Sequence, residues 1–200
     1  MQTIKYFFLI LSVALLSVNA QTKWNIDKDH SRIGFSATHM VISTVDGVFH
    51  DYTADISTDG DNFENAKINV SIDVNSIDTQ NEQRNKHLKS NDFFNAEKYP
   101  EIKFISKSFK KIDGKNWKLV GDFTIRNVTK EITLDAKFNG IIKDPWGNTR
   151  AGFKLTGEIN RFDYNLEWNK LIETGGLVVG KEIELNIDLE IIKAKPDDAS

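Results

Sequence analysis

Apolar and polar residues alternate with period two along most of this chain, which confines it to half-buried β-strands. Ile68, Val70, Ile72 and Val74 alternate without a break against Lys67, Asn69, Ser71 and Asp73. The same happens at Ile183, Leu185, Ile187, Leu189 and Ile191, set against Glu182, Glu184, Asn186, Asp188 and Glu190. Further runs lie at 33–40, 52–56, 102–109, 117–125, 130–142 and 151–159. They make eight strands of about eight to twelve residues, longer than the usual five or six. Asp46-Gly47, Asp59-Gly60, Asp113-Gly114 and Asp144-Pro145-Trp146-Gly147 supply turns between them, so neighbours run antiparallel. Long strands with one apolar and one charged face are satisfied by closure, which removes the exposed edges. The predicted fold is all-β, an eight-stranded antiparallel barrel.

Two segments break the alternation. Thr79-Gln80-Asn81-Glu82 reads as a capping box and predicts a short helix to about Ser90, after the third strand. Arg84, His87 and Leu88 would share one face of it. The stretch 160–176, before the last strand, is irregular and rich in apolar side chains (Phe162, Tyr164, Leu166, Trp168, Leu171), so it is expected to pack over something. Lys5, the apolar run from Tyr6 to Leu16 and the small residues Val18 and Ala20 form a signal peptide, with the cut expected after Ala20. The predicted organisation is a leader over 1–20, one barrel domain over 21–193 and a disordered tail over 194–200. That places the chain in a bacterial periplasm or outside the cell.

Charge and cysteine content remove several functions. A net charge of −3 with no basic cluster argues against nucleic-acid binding, and the absence of Cys removes thiol catalysis and Cys-ligated metal. The leader run is too short to span a bilayer, and no second one follows, so no integral membrane span is expected. An outer-membrane barrel would turn its apolar face outward. Here the polar face is dense in full charges, such as Lys103, Asp122, Glu131 and Lys137.

An eight-stranded barrel is either just filled by its side chains or holds one small ligand. Small residues on the inward faces (Ala37, Ala54, Ser106, Gly121, Ala136, Gly140, Ala151, Gly157) either relieve crowding or leave an apolar tunnel unfilled. Strand parity assigns the tunnel lining to Phe35, Ala37, Ile72, Phe104, Leu119, Phe123, Leu134 and Phe153. Each methylene buried there is worth about 0.8 kcal/mol, enough for a lipid tail to bind.

The chain also resembles the YceI-like proteins. The likeness rests on Trp24-Asn25-Ile26-Asp27 with His30-Ser31 and Phe35, then His39-Met40, Val45-Asp46-Gly47-Val48-Phe49 and Ser76-Ile77-Asp78-Thr79. It continues through His87-Leu88-Lys89-Ser90, Asp92-Phe93-Phe94, Tyr99-Pro100-Glu101-Ile102-Lys103-Phe104, Val128-Thr129-Lys130, Asp144-Pro145-Trp146-Gly147 and Ile159-Asn160-Arg161. The resemblance implies an exported, lipocalin-like barrel that sequesters a polyisoprenoid, an isoprenoid quinone or a similar long amphiphile for transport or storage, without catalysis. Three positions depart from the family pattern. Arg84-Asn85 stands where Arg-Asp is usual, and Asn127 and Asn165 stand where Gly is common. Asn is the residue best able to replace Gly at positive φ.

The polar candidates for a headgroup at the mouth are His39, Arg84, His87, Lys89 and Arg161, with Arg suited to phosphate through its planar fork. Their alternative role is to tie the two irregular segments to the barrel. A turn at Thr44-Val45 would set His39 opposite His50, and one at Asp46-Gly47 would set it opposite Ala54. With no third ligand, no metal site is expected. Asp27, His30 and Ser31 are too close in sequence to form a triad, and no nucleophile elbow or phosphate loop is present. Trp146 and Trp168 are expected as core plugs or turn anchors. No catalytic residue and no cofactor other than a bound lipid are expected. Barrels of this kind can form a homodimer through a mouth. The competing reading is a structural or stress-response barrel with a filled core, acting through a protein partner.

Overall fold

The computed structural model describes residues 21–171 and 177–195. The leader at 1–20 and the end of the tail at 196–200 lie outside the described residues. In chain order the elements are β1 (Thr22–Ile26), β2 (Arg32–His39), β3 (Ser43–Phe49), β4 (Tyr52–Asp59), β5 (Asn62–Asp73), β6 (Ile77–Asp78) and α1 (Glu82–Lys89). There follow β7 (Glu101–Asp113), β8 (Asn116–Ile125), β9 (Val128–Lys143), β10 (Thr149–Asn160) and β11 (Val179–Lys193). Eight of these strands close a ring in the order β1-β4-β5-β7-β8-β9-β10-β11, and β11 pairs back on β1.

The remaining strands are continuations of ring strands. β1 and β2 flank a short 3-10 turn (Lys28–His30) and both pair with β11, so 22–39 is one long interrupted strand. β3 and β4 pair with its two halves, and β5 runs through a second turn (Val74–Ser76) into β6. The barrel is therefore eight long antiparallel strands, as the alternation predicts. Ala194 donates its N–H to Lys23 O at 2.9 Å, so this first residue of the expected tail still follows the barrel edge.

Side chains sort by parity where strands are regular. Along β8, Trp117, Leu119, Phe123 and Ile125 are buried, while Asn116 and Lys118 are exposed. The outer face carries charge, as in the Lys107–Asp122–Glu131 ion-pair cluster. Apolar side chains thus point inward, opposite to an outer-membrane barrel. Among the described residues no helix is long and apolar enough to cross a membrane. Bulges reset the parity at Ser106/Ser108 in β7 and at Asn139 in β9, opposite Gly152/Phe153. At the first, Ser106 restores what the ladder loses: its Oγ accepts from Ile68 N at 2.8 Å and donates to Ala66 O at 3.2 Å.

The helix is one turn shorter than expected. Asn81, not Thr79, is its N-cap, and its side chain accepts from Arg84 N. Thr79 instead bonds Asn85 Oδ1 through both N–H (2.8 Å) and Oγ1 (2.6 Å). Asn127 (φ 60°) and Asn165 (φ 59°) both adopt the left-handed conformation that Gly would supply. α1 with its flanking turns and the 160–171 segment lie at the same end of the barrel as the β2–β3 turn. Arg126 joins the two segments by donating to Phe93 O (2.8 Å) and Asn165 O (2.6 Å).

Candidate functional site

The two ends of the barrel are packed differently. At the end where β1 begins and β11 ends, rings fill the interior. Trp24 contacts Phe63 (centroids 5.1 Å), Phe63 contacts Phe153 (5.0 Å), Phe153 contacts Phe138 (4.9 Å), and Phe109 contacts Trp117 (5.0 Å). Trp24 is anchored through Nε1 to Thr58 Oγ1 at 2.8 Å. Phe153, expected in the tunnel lining, keeps the inward parity of Ala151 and Leu155 but stands at the level of the plug, against Phe63, Phe109 and Phe138, and lines none of the voids above it.

Above the plug three voids follow one another. The deepest, about 120 Å3, is bounded by residues including Ile33, Ile72, Phe104, Leu119 and Leu134. The next, about 100 Å3, lies between Phe49, Phe94, Ile102, Ile125 and Ile183. The third, about 200 Å3, opens at the mouth among Ala37, His39, Arg84, His87 and Trp168. Phe35 borders all three, Ala37 the upper two, and Phe123 the lower two, so the voids form one string with thin partitions. Of the eight residues assigned to the lining, the seven other than Phe153 border this string.

The free volume does not come from every small residue. A Cβ at Gly121 would stand 2.4 Å from the Phe104 ring, and one at Gly157 would stand 2.5 Å from Leu134 Cδ2, so large neighbours already fill those places. Gly140 lies at the second bulge with φ 139°, facing nothing within 4 Å. Of the small inward residues named from the sequence, Ala37 and Ala54 border voids. Phe49, Phe94 and Leu185 also border them, though the expected lining omitted all three. Phe49 and Leu185 lie on β3 and β11, whereas Phe94 sits in the turns after α1, where strand parity does not apply.

At the mouth the structure brings together three of the five polar candidates. His39, Arg84 and His87 all border the outermost void. His87 accepts or donates at Nε2 with Asp92 Oδ2 at 2.9 Å, and its ring meets Trp168 (4.8 Å) and Phe93 (5.0 Å) edge to face. Trp168 therefore anchors the upper loop over α1, whereas Trp146 is 80% exposed and plugs nothing. Lys89 turns away and donates to Asn75 O at 2.9 Å.

Arg161 is buried at 2% exposure and works as a tie. It donates to four backbone carbonyls: Gly180 (2.8 Å), Trp168 (3.0 Å), Val179 (3.1 Å) and Leu166. These bonds fix the loop to the start of β11, and burial lowers the guanidinium's pKa from its ordinary value. Its hydrogen-bonding capacity is nearly spent on carbonyls, which leaves little for a headgroup.

The histidine pairings read from the sequence do not form. The β2–β3 turn lies at 40–42, so His39 pairs with Ser43. His50 stands beside Asp78 at 3.6 Å. Asp27, His30 and Glu190 bring one ligand atom each within 4.8 Å of one another. The Arg150 guanidinium already occupies that cluster, at 2.5 Å from Asp27 and 2.6 Å from Glu190. Ser31 Oγ bonds the backbone of Glu190 in both directions, so Asp27, His30 and Ser31 make no nucleophile–base contact.

The geometry is a blind, apolar pocket with polar groups at its open end. A model of the YceI-like domain matches residues 24–191. The chain is 38% identical over 170 residues to a UPF0312 protein of Staphylococcus epidermidis, covering 84% of this chain and 96% of that one. It superposes on the YCEI protein of Campylobacter jejuni with a TM-score of 0.68 at 37% identity, over 79% of this chain and 90% of the other. A polyisoprenoid binding domain from Saccharophagus degradans, implicated in plant cell wall breakdown, shares the fold at a TM-score of 0.60 and 15% identity, over 86% and 98% of the two chains.

Proposed function

The chain belongs to the YceI-like domain family, and on that premise we propose that it is an exported, non-catalytic carrier of one long-chain amphiphile of polyisoprenoid or isoprenoid-quinone type. The observation that carries this reading is the string of apolar voids, blocked at one end by the aromatic plug and polar only at the other. A long tail with a polar end has that shape. The fold shared with a polyisoprenoid binding domain supports the same ligand class. Export rests on the leader-like sequence at 1–20. The absence of catalysis rests on a mouth whose polar groups include no nucleophile paired with a base.

The test is to express the full chain in a bacterial periplasm, purify it without detergent, and compare native with denaturing mass spectra. The expected result is a discrete extra mass, lost on denaturation, that extracts into organic solvent. A bare protein that also refuses added quinone and prenyl lipids would overturn the reading and favour a filled-core barrel with a protein partner.

A further inference from the structure

The eight-strand ring is closed, but at the mouth end the wall beside β3 is not hydrogen-bonded throughout. β6 pairs only with Val48 and Phe49 of β3, so among the described residues Ser43–Gly47 has β2 on one side and no strand on the other. Beyond that point the wall beside β3 consists of side chains. Val45, Thr79 and Arg84 border both the mouth void inside and a groove of about 540 Å3 outside. The partition is one residue thick.

The axial opening is narrowed by Trp168. Trp168 lies against His87 at 4.8 Å and Phe93 at 5.3 Å, and the Arg161 tie holds its loop down. Where the ladders are continuous, as between β10 and β11, opening a gap means separating paired strands. At the seam no hydrogen bond among the described residues joins Ser43–Gly47 to Thr79 or Arg84, whose own two bonds, Nε to Oγ1 at 2.8 Å and a terminal nitrogen to the carbonyl at 2.6 Å, stay on the α1 side.

The groove outside has the chemistry of a polar site. Its carboxylates are already engaged: Asp78 with Asn85, Gln80 N and His50, and Asp46 with Ser36. Its guanidiniums are not matched in the same way. Among the described residues the Arg84 guanidinium bonds only Thr79, and Asn85, where a carboxylate would have neutralised it, spends its Oδ1 on Thr79. Arg32 lies flat over Gly34, where a Cβ would come within 2.7 Å of its guanidinium.

We propose that the seam between β3 and α1 is a side portal of the ligand tunnel. The ligand's polar end lies in the outer groove with its oxygen acceptors on Arg84, and its tail runs through the seam into the barrel. This rests on the carrier reading. The acceptor oxygens are those of a quinone ring or of a phosphate.

The chain contains no Cys, so one can be placed at will. Thr44→Cys, in the groove wall, and Lys115→Cys, in the β7–β8 turn at the plug end, are each labelled with a small fluorophore. Each labelled protein is titrated with a long-chain isoprenoid benzoquinone, which quenches on contact, while native mass spectrometry counts bound lipid. Quenching at Thr44 with none at Lys115 is the expected result. Bound quinone without quenching at Thr44 overturns the portal and leaves the carrier intact, whereas no bound lipid overturns both.

Arg84→Gln is then compared on the quinone and on a long-chain prenyl diphosphate. A loss of about tenfold or more for the diphosphate, with a smaller one for the quinone, supports Arg84 and assigns a phosphate end. Equal losses support Arg84 with carbonyl oxygens. No loss for either lipid, in a variant that unfolds at the wild-type temperature, overturns its role.

Discussion

Ala37→Trp separates a tunnel from a filled core. Ala37 sits on β2 between Val45 and Ile183, on the boundary of the mouth void and the one below it. An indole there projects into space of about 200 and 100 Å3, so the usual overpacking cost of about 1–3 kcal/mol should be largely avoided. It would block the passage of a lipid tail. If it displaces one isoprene unit, roughly five carbons at about 0.8 kcal/mol each, the loss is about 4 kcal/mol, near three decades in Kd. Ala136→Trp is the matched control. Ala136 is 4% exposed, pairs with Trp117 and Leu155 beside the plug, and borders none of the three voids. There the overpacking cost should appear in full, and the folded fraction should bind as wild type does. Lipid titration read by native mass spectrometry, alongside thermal unfolding, measures both quantities. An Ala37→Trp protein with wild-type Tm and undiminished affinity would show that the tail does not pass Ala37, and the reasoning would fail.

Other consequences follow from the plug and the charged edge. The Tyr164 hydroxyl is buried without a partner, and burial pushes its pKa up to about 12. The raised value means its stability contribution is present below pH 10 and lost as pH rises from there towards 12. Tyr164→Phe should gain about 1–3 kcal/mol and flatten the alkaline limb of a Tm-against-pH profile; an unchanged limb would show that another group carries it. Arg150 and Asn148 hold the Asp144 carboxyl far below the usual carboxylate range. That stability is present above about pH 4 and lost as pH falls further. Asp144→Asn should therefore be less stable at neutral pH and lose less on acidification, read by acid unfolding followed by tryptophan fluorescence. Phe153→Ala should cost about 3–5 kcal/mol while leaving the affinity of the folded protein unchanged, because Phe153 packs in the plug.

The fold was legible because every strand alternates, and closure follows from strand number and turn spacing. Side-chain register was less so, for local reasons. Asp46-Gly47 has the chemistry of a turn but lies inside β3, where Gly47 is required because the Phe35 ring stands 2.2 Å from where its Cβ would be. The true turn at 40–42 uses Met40 (φ 50°) and Val41 (φ 67°), residues that rarely adopt the left-handed region. Both histidine pairings failed on that exchange. Phe153 faces inward as its parity requires, but parity does not give height along the barrel, and Arg161 is held by carbonyl partners up to 19 residues away in sequence. His39, Arg84 and His87 border one void because helical spacing and strand parity hold where the backbone is regular.

The empty volume itself argues against a purely structural barrel. At about 24 cal/mol per Å3, a void of about 120 Å3 in the deep part of the barrel costs roughly 3 kcal/mol, a sizeable share of the 5–15 kcal/mol that stabilises a typical domain. One larger side chain would remove it. Ala54, which borders that void on β4, is the position to fill. On the carrier reading, Ala54→Leu should raise the Tm of the lipid-free protein and weaken lipid binding by the tail carbons it displaces, so that stability and affinity move in opposite directions. Thermal unfolding of delipidated protein and a quinone titration give the two numbers. If Ala54→Leu lowers the Tm, the void is not space that a side chain can occupy. If it raises the Tm and leaves affinity untouched, the void is not where the tail lies.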